Sequence, residues 1–285
     1  MDSPRPFRLT NSDARGPVIL SVPHAGRDYE GPWAKRLRPQ PGSIIALEDR
    51  YADFLAHLVT DAPVVVARHP RACIDLNRHE FELDPGMVDG AVASRLILSP
   101  KVRSGLGVVP RRLAGVGELW SGRLSLAEVE QRIATIHRPY HQMLSDLLRR
   151  ARAHNGIAVL VDLHSMPGLP RPDDSVPAPA IVIGNRFGQS ASGWVGACAA
   201  ALCDRFGLSW RENSPYAGGF VVERHGAPAR GVHALQIEID RSLYLDANLD
   251  RPEPARLGRM QEFVAALVSE LGSAALDETL PLAAE

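Results

Sequence analysis

Cysteine is scarce in this 285-residue chain: only Cys73, Cys198 and Cys203 occur. An odd count and the absence of any CxxC pair exclude a disulfide framework. Cys198 and Cys203 fall in an Ala-rich stretch and read as core packing. Lysine is nearly missing, at Lys35 and Lys101 only, so arginine carries the positive charge, which points to genome composition more than to function. Neither sign of charge is in marked excess. Lys plus Arg is 32 and Asp plus Glu is 33, a net charge of -1, which gives no support to a nucleic-acid surface but leaves room for a local basic pocket. Long apolar runs are absent. Met1 to Thr10 carries none of the signal type, and stretches such as Ile157 to Val161 are strand-sized, far too short to cross a bilayer. A soluble, cytoplasmic protein with no membrane and no nucleic-acid partner is expected; the oligomeric state stays open.

Several motifs are missing as well. The glycines at Gly105, Gly107, Gly115 and Gly117 are not followed by Gly-Lys-Ser or Gly-Lys-Thr, so they form no phosphate loop. No GxSxG elbow occurs, which disfavours a serine hydrolase of the α/β-hydrolase kind. His137 and His141 are four apart, but Pro139 disturbs that turn and the glutamate of HExxH is absent. No repeat, linker or low-complexity segment divides the chain, so a single catalytic domain over residues 1–285 is expected.

What is present is an alternation of strand and helix patterns. Strands are predicted at Pro17–Val22, Pro63–Ala67, Ala72–Leu76, Ile157–Val161, Ala180–Ile183, Gly218–Val222 and Ala234–Ile239. Helices are predicted at Leu47–Val59, Leu126–Ala153 with a kink or split at Pro139, Ala191–Phe206 and Pro254–Leu271. Asn77–Pro110 reads as a long loop region with short elements, Pro167–Pro179 as a loop, and the Ala- and acid-rich end as loose. This order implies an α/β fold with a mainly parallel sheet, helices on both faces, and some antiparallel edges near Gly218 and Gly219.

Open sheets of this kind place their sites beyond the carboxyl ends of strands. Polar clusters fall there: Ser21–His24, Cys73–Arg78, Asp162–Ser165 and Gln236–Arg241, with Glu48-Asp49 at a helix start. Two histidines and one carboxylate make a catalytic-type zinc set with one position left for water. His24 and His164 are the first two candidates, with Asp49 third and Glu48 its competitor; for either histidine alone, a solvated strand end is the plainer account. Asp162, two residues before His164, faces the same side of its strand and can accept from the ring's second nitrogen. Glu238, between Ile237 and Ile239, is a candidate buried carboxylate for proton transfer; a salt bridge to an arginine is the alternative. Arg71 and Arg78 offer bidentate forks for a substrate carboxylate, with Asn77 as a further donor; a structural ion pair with Asp75, Glu80 or Asp84 is the competing account.

These clusters are also where the chain resembles the N-formylglutamate amidohydrolase family, also called N-formylglutamate deformylases. The matching stretches are Ser21–Gly26, Glu48-Asp49 with Asp53, Arg71–Arg78 continuing through Glu82–Pro85, Asp162–Ser165, and the blocks from Asn213–Gly219 through His225-Gly226 to Gln236–Tyr244. The resemblance spans roughly residues 18–246, and its last block is the most specific. It implies a three-layer, zinc-peptidase-like (phosphorylase/hydrolase-like) α/β fold with a mixed, mainly parallel central sheet, distantly related to carboxypeptidases and aspartoacylases. Through the aspartoacylase likeness, Asp75–Arg78 matches a stretch whose arginine holds the substrate carboxylate, and His24 and His164 match metal-ligand histidines. The third ligand in those relatives lies a few residues after the first histidine, where this chain has Asp28 and Glu30; Asp49 is preferred because Glu48-Asp49 belongs to the family pattern.

The implied reaction is zinc-dependent hydrolysis of N-formyl-L-glutamate to formate and L-glutamate, a step of histidine degradation. Glu238 would shuttle the proton, His233 or an arginine would stabilise the oxyanion, and Arg71, Asn77, Arg78, Gly219 and Arg224 would face the substrate. Asp75 joins Asp162 behind the ligands. Phe220–His225 departs from the usual family version, which favours a Tyr and a Thr there. A metal-dependent amidohydrolase or carboxypeptidase-like enzyme for another N-acyl amino acid or small peptide is one rival; a non-catalytic small-acid binding protein is another.

Overall fold

The computed structural model describes residues 5–171 and 176–279. Contacts divide the chain into two compact units. The first comprises Met1–Arg8, Pro23–Arg50 and Val66–Met143; the second comprises Leu9–Val22, Tyr51–Val65 and Leu144–Glu285.

The seven strands of the main sheet are β1 (Phe7–Thr10), β2 (Val18–Val22), β3 (Val64–Ala67), β4 (Ala158–Met166), β5 (Ile181–Gly184), β6 (Trp210–Glu212) and β7 (Val232–Asp240). Their order is β1-β3-β2-β4-β7-β5-β6. β2 with β4, β4 with β7, and β5 with β6 pair parallel, whereas β5 with β7 pairs antiparallel. This is an α/β fold with a mixed, mainly parallel sheet, and the antiparallel pair lies inside the sheet and not at the expected Gly218-Gly219 edge. The second unit holds β2 and β4 to β7 whole. Every residue of β4 is buried, as a strand covered on both faces requires, which is why its apolar run does not alternate.

The helices are α1 (Ala52–Leu55), α2 (Pro100–Arg103), α3 (Leu126–Arg132), α4 (Arg138–Asn155), α5 (Gly193–Arg205), α6 (Phe220–His225) and α7 (Pro254–Asp277). In α7 the buried residues Met260, Phe263, Val264, Leu267, Val268, Leu271 and Ala275 recur at three- and four-residue spacing, one continuous stripe. Each large side chain there contributes about 1.5–3 kcal/mol on burial. Glu253 caps α7 by accepting from the Ala255 and Arg256 amides, and Pro254 starts it where no N–H is needed. A Ser125–Glu128 capping box starts α3.

Four expectations need correction. The Leu47–Val59 helix shrinks to α1, because Tyr51 takes a φ of 59°, a left-handed conformation no helix carries. Ala72–Leu76 is not a strand. Its backbone groups bond elsewhere: the Asp75 amide to the Val108 carbonyl, and the Cys73 and Leu76 carbonyls to Arg132 and His141. Gly218–Val222 is not a strand but leads into α6, with Gly219 as its N-cap. Asp162–Ser165 lies within β4, which runs on to Met166, and does not follow the strand.

Pro139 does not split its helix. It sits second in α4, and the five residues before that helix, Ile133–His137, form a π turn. Proline has no N–H and its ring crowds the carbonyl four residues earlier, so the turn in front of it yields while the helix continues. The Pro167–Pro179 loop lies partly outside the described residues, as does the chain beyond residue 279. β1 and β6 were not foreseen; both are short.

The turn after β2 depends on Gly26. A Cβ built there would sit 2.1 Å from the His69 carbonyl oxygen, a backbone atom that cannot swing away. Gly258, inside α7, has nothing within 4 Å. Urea denaturation should therefore show Gly26→Ala losing about 2 kcal/mol or more, while Gly258→Ala gains roughly 0.5–1 kcal/mol.

Candidate active site

Asp75 organises the first unit's polar cluster. Its carboxyl is fully buried, and Oδ1 meets His24 Nε2 at 2.7 Å and accepts from the Asn77 amide at 2.9 Å. Oδ2 accepts from Arg71 Nε at 2.7 Å, with Arg78 Nε 3.9 Å away. Burial by itself would raise the Asp75 pKa; Arg71, His24 and Arg78 outweigh it and hold the group well below the usual carboxylate range. Arg71 thus makes the ion pair with Asp75 that was the competing account of it. Arg78 donates from Nη1 to the Asn77 carbonyl at 2.7 Å and from Nε to the Leu106 carbonyl at 3.1 Å.

A carboxylate on His24 Nε2 makes that nitrogen the donor and leaves Nδ1 to face a cation. Nδ1 lies 3.5 Å from Asp49 Oδ2. The turn is closed by the Asp49 amide, which donates to the His24 carbonyl at 3.0 Å. Glu48 is buried as well but engaged elsewhere: Tyr29 donates its hydroxyl to Oε1 at 2.5 Å, and Arg50 Nη1 lies 3.2 Å from Oε2. Burial, then the Glu48 carboxylate, pushes the Tyr29 phenol upward. Asp28 and Glu30 are exposed.

In the second unit, β4 and β7 run parallel with Glu238 opposite His164 and Gln236 opposite Asp162. His164 Nε2 meets Asp162 Oδ2 at 2.8 Å, and Asp162 Oδ1 accepts from the Ser21 hydroxyl at 2.8 Å. The i, i+2 spacing on each strand puts Asp162 with His164, and Gln236 with Glu238, on one face. Gln236 Nε2 donates to Glu238 Oε1 at 2.8 Å, and Gln236 Oε1 accepts from the Gly219 amide at 2.8 Å. Arg241 Nε donates to Ser165 Oγ at 3.0 Å.

Among the described residues, one group of His, Cys, Asp and Glu side chains could hold a metal ion: His24, Asp49 and His164, all buried, with candidate ligand atoms within 4.8 Å of one another. Two imidazoles and a carboxylate are a donor set suited to zinc, and each histidine has a carboxylate on its second nitrogen, as metal-bound histidines do.

Two expected residues are placed elsewhere. His233 is opposite Val159 on β7, five residues and so about 16 Å of strand before Glu238. Its Nδ1 accepts from the Ser192 amide at 3.2 Å, and its ring meets Trp194 edge-on at 5.2 Å. It is not positioned to stabilise an oxyanion beside Glu238 and His164. Arg224 is exposed on α6, its guanidinium 5.8 Å from the centre of the Phe220 ring. Gln236, Ser21 and Arg241 were not singled out as site residues. Gln236 was legible: it is two residues before Glu238 on a strand.

Fold and side chains together define an α/β protein with a potential His/His/Asp metal-binding triad. The family model described as N-formylglutamate amidohydrolase matches residues 16–245. Two N-formylglutamate deformylases are similar. The one from Pseudomonas putida is 30% identical over 253 residues, covering 84% of this chain and 85% of the relative. The one from Pseudomonas aeruginosa is 28% identical over the same length and coverage. The crystal structure of N-formylglutamate amidohydrolase from Ralstonia eutropha JMP134 superposes with a TM-score of 0.88 at 25% identity, covering 97% of this chain and all of that one. A gene product of Agrobacterium tumefaciens shares the fold, with a TM-score of 0.69 at 21% identity over 97% of this chain and 95% of the other. The chain belongs to the N-formylglutamate amidohydrolase family.

His225, at the end of α6, supplies a pH test. Burial, aided by Arg224, lowers its pKa from 6.5 to about 3. The fold thus favours the neutral ring, and the unfolded chain takes up the proton first as pH falls below 6.5. Stability is unaffected above that value and declines down to about pH 3. Between pH 7 and pH 5 the wild type should lose about 2 kcal/mol more than His225→Asn in urea denaturation.

Proposed function

We propose that the chain acts as a single catalytic domain that hydrolyses N-formyl-L-glutamate to formate and L-glutamate, using a zinc ion held by His24, Asp49 and His164. The observation that carries this is the convergence of those three ligand atoms within 4.8 Å in a chain of this family. A three-layer zinc-peptidase-like architecture is part of the same reading. When bound, the ion supplies Lewis acidity for water activation and carbonyl polarisation.

The chain's own groups do the rest. Asp75 and Asp162 hold the imidazoles of His24 and His164 in one tautomer and one orientation. Glu238, across from His164 and only 9% exposed, takes the proton of the attacking water and delivers it to the amide nitrogen. The hydrogen bond from Gln236 keeps Glu238 oriented, and Gly219 in turn keeps Gln236 oriented. Arg71, Asn77 and Arg78 form the cationic and amide surface that takes the substrate carboxylates. No membrane partner is invoked: no described helix is long and apolar enough to cross a bilayer.

Protein stripped with a chelator should lose at least about 100-fold in formate release and recover with added zinc; equal rates in stripped and reloaded samples reject the metal reading. A panel of N-formyl, N-acetyl and peptidyl substrates sets the acyl group. Glu238→Gln should lower kcat by roughly 10²–10⁴-fold while leaving metal content unchanged. A KM effect alone would assign Glu238 to binding.

A further inference from the structure

The segment Cys73–Arg78 is neither strand nor helix, yet it carries Asp75, Asn77 and Arg78. Three of its carbonyl oxygens are held by side chains of one helical stretch. Arg132 Nη1 donates to the Cys73 carbonyl at 3.2 Å, His141 Nε2 to the Leu76 carbonyl at 3.0 Å, and His137 Nε2 to the Arg78 carbonyl at 2.8 Å. A carbonyl oxygen only accepts, so both histidines carry a proton on Nε2. All three donors are buried, and the two imidazole rings meet tilted at 49° with centroids 4.5 Å apart.

The sequence spacing is 132, 137, 141. In a regular α-helix each residue turns about 100°, so five residues would leave Arg132 about 140° away from His137. The π turn over Ile133–His137 absorbs one residue. That brings Arg132 to within about 40° of His137, the offset of an ordinary i, i+4 pair. The π turn is what puts the three donors on one face.

A packed apolar face would hold a helix against a loop without burying a guanidinium, a group that is costly to desolvate. Here the Arg132 guanidinium lies 4.7 Å from the centre of the Trp120 ring, and burial lowers its pKa. Polar donors do what apolar packing cannot: each accepts only one register of the opposing backbone.

We propose that Arg132, His137 and His141 are positioning residues, which by gripping the Cys73, Leu76 and Arg78 carbonyls set the Asn77 side chain and the Arg78 guanidinium for substrate. This rests on the substrate reading given above for Arg71, Asn77 and Arg78. It gives the His137/His141 pair a role with no metal in it. The two histidines grip the segment at and just before Arg78, so their loss is felt in substrate affinity, while the proposed ligand set keeps its ion.

The test uses paired substitutions. Glutamine reaches as far as histidine Nε2 and keeps the donor; asparagine places its amide near Nδ1 and falls short. His137→Asn and His141→Asn should raise the KM for N-formyl-L-glutamate about 10-fold or more with zinc content unchanged. His137→Gln and His141→Gln should return KM to within about 3-fold of wild type. Leu144→Ala, a fully buried change in α4 with a comparable loss of Tm, should leave KM alone. Equal KM in the Asn and Gln variants, or an equal rise in Leu144→Ala, overturns the proposal. If the wild type does not turn over this substrate, the substrate reading has failed, and amide hydrogen exchange over residues 76–79 decides the positioning role. Exchange faster in the Asn variants and restored by Gln supports it; exchange the same in all rejects it.

Discussion

A carboxylate with no exposure to solvent has to be surrounded by donors, and the polar cluster of the first unit follows from how Asp75 meets that demand. Its two oxygens take an imidazole, a guanidinium and a backbone amide. Each donor is thereby fixed in place. His24 gains a defined tautomer, Arg71 is drawn in, and the backbone at Asn77 is bent toward the carboxylate. Removing the acid would leave buried donors without their acceptor, a larger loss than the net worth of any one bond.

The second unit repeats the device on a different scaffold. Asp162 holds His164 and is itself held by Ser21, but here all three residues sit on adjacent parallel strands, β2 and β4. Strand register does the positioning that loop contacts do around Asp75. Because β7 pairs with β4 along nine residues, Glu238 has no freedom but to lie opposite His164. Gln236 and Gly219 extend the chain of satisfied groups, so that a carboxylate near the end of a buried strand keeps a donor. Satisfied networks of this kind are rigid, which is what a reaction centre needs from its scaffold.

Family membership narrows the chemistry to hydrolysis. The substrate surface that we propose runs from Arg71 to Arg78. That surface lies on irregular chain, which has no ladder to hold it. The grip of Arg132, His137 and His141 on its carbonyls supplies the missing constraint, and the π turn is the feature of the helix that makes the grip reach.

Much of this was legible in residue order. Period-two spacing put Asp162 with His164 and placed Glu238 away from its isoleucine neighbours, because side chains on a strand alternate whatever surrounds it. The buried strands β2, β3, β4, β5 and β7 were visible as apolar runs, and α7 as a stripe. The linear pattern did not reveal that Ala72–Leu76 would leave the sheet, since its apolar residues suit a strand and only the distant side chains of Arg132 and His141 claim its carbonyls. Nor did it separate Asp49 from Glu48: both are acidic, adjacent and buried, and the difference is that Tyr29 and Arg50 occupy Glu48. His233 looked as good as any histidine near Glu238 until the register placed it at the other end of the strand. Residue order determined which chemical groups the chain owns and which face of a strand each one takes, because those are local properties. Which groups meet was decided by tertiary structure alone, because strand register and long-range hydrogen bonds join residues that are 51 to 141 positions apart in sequence.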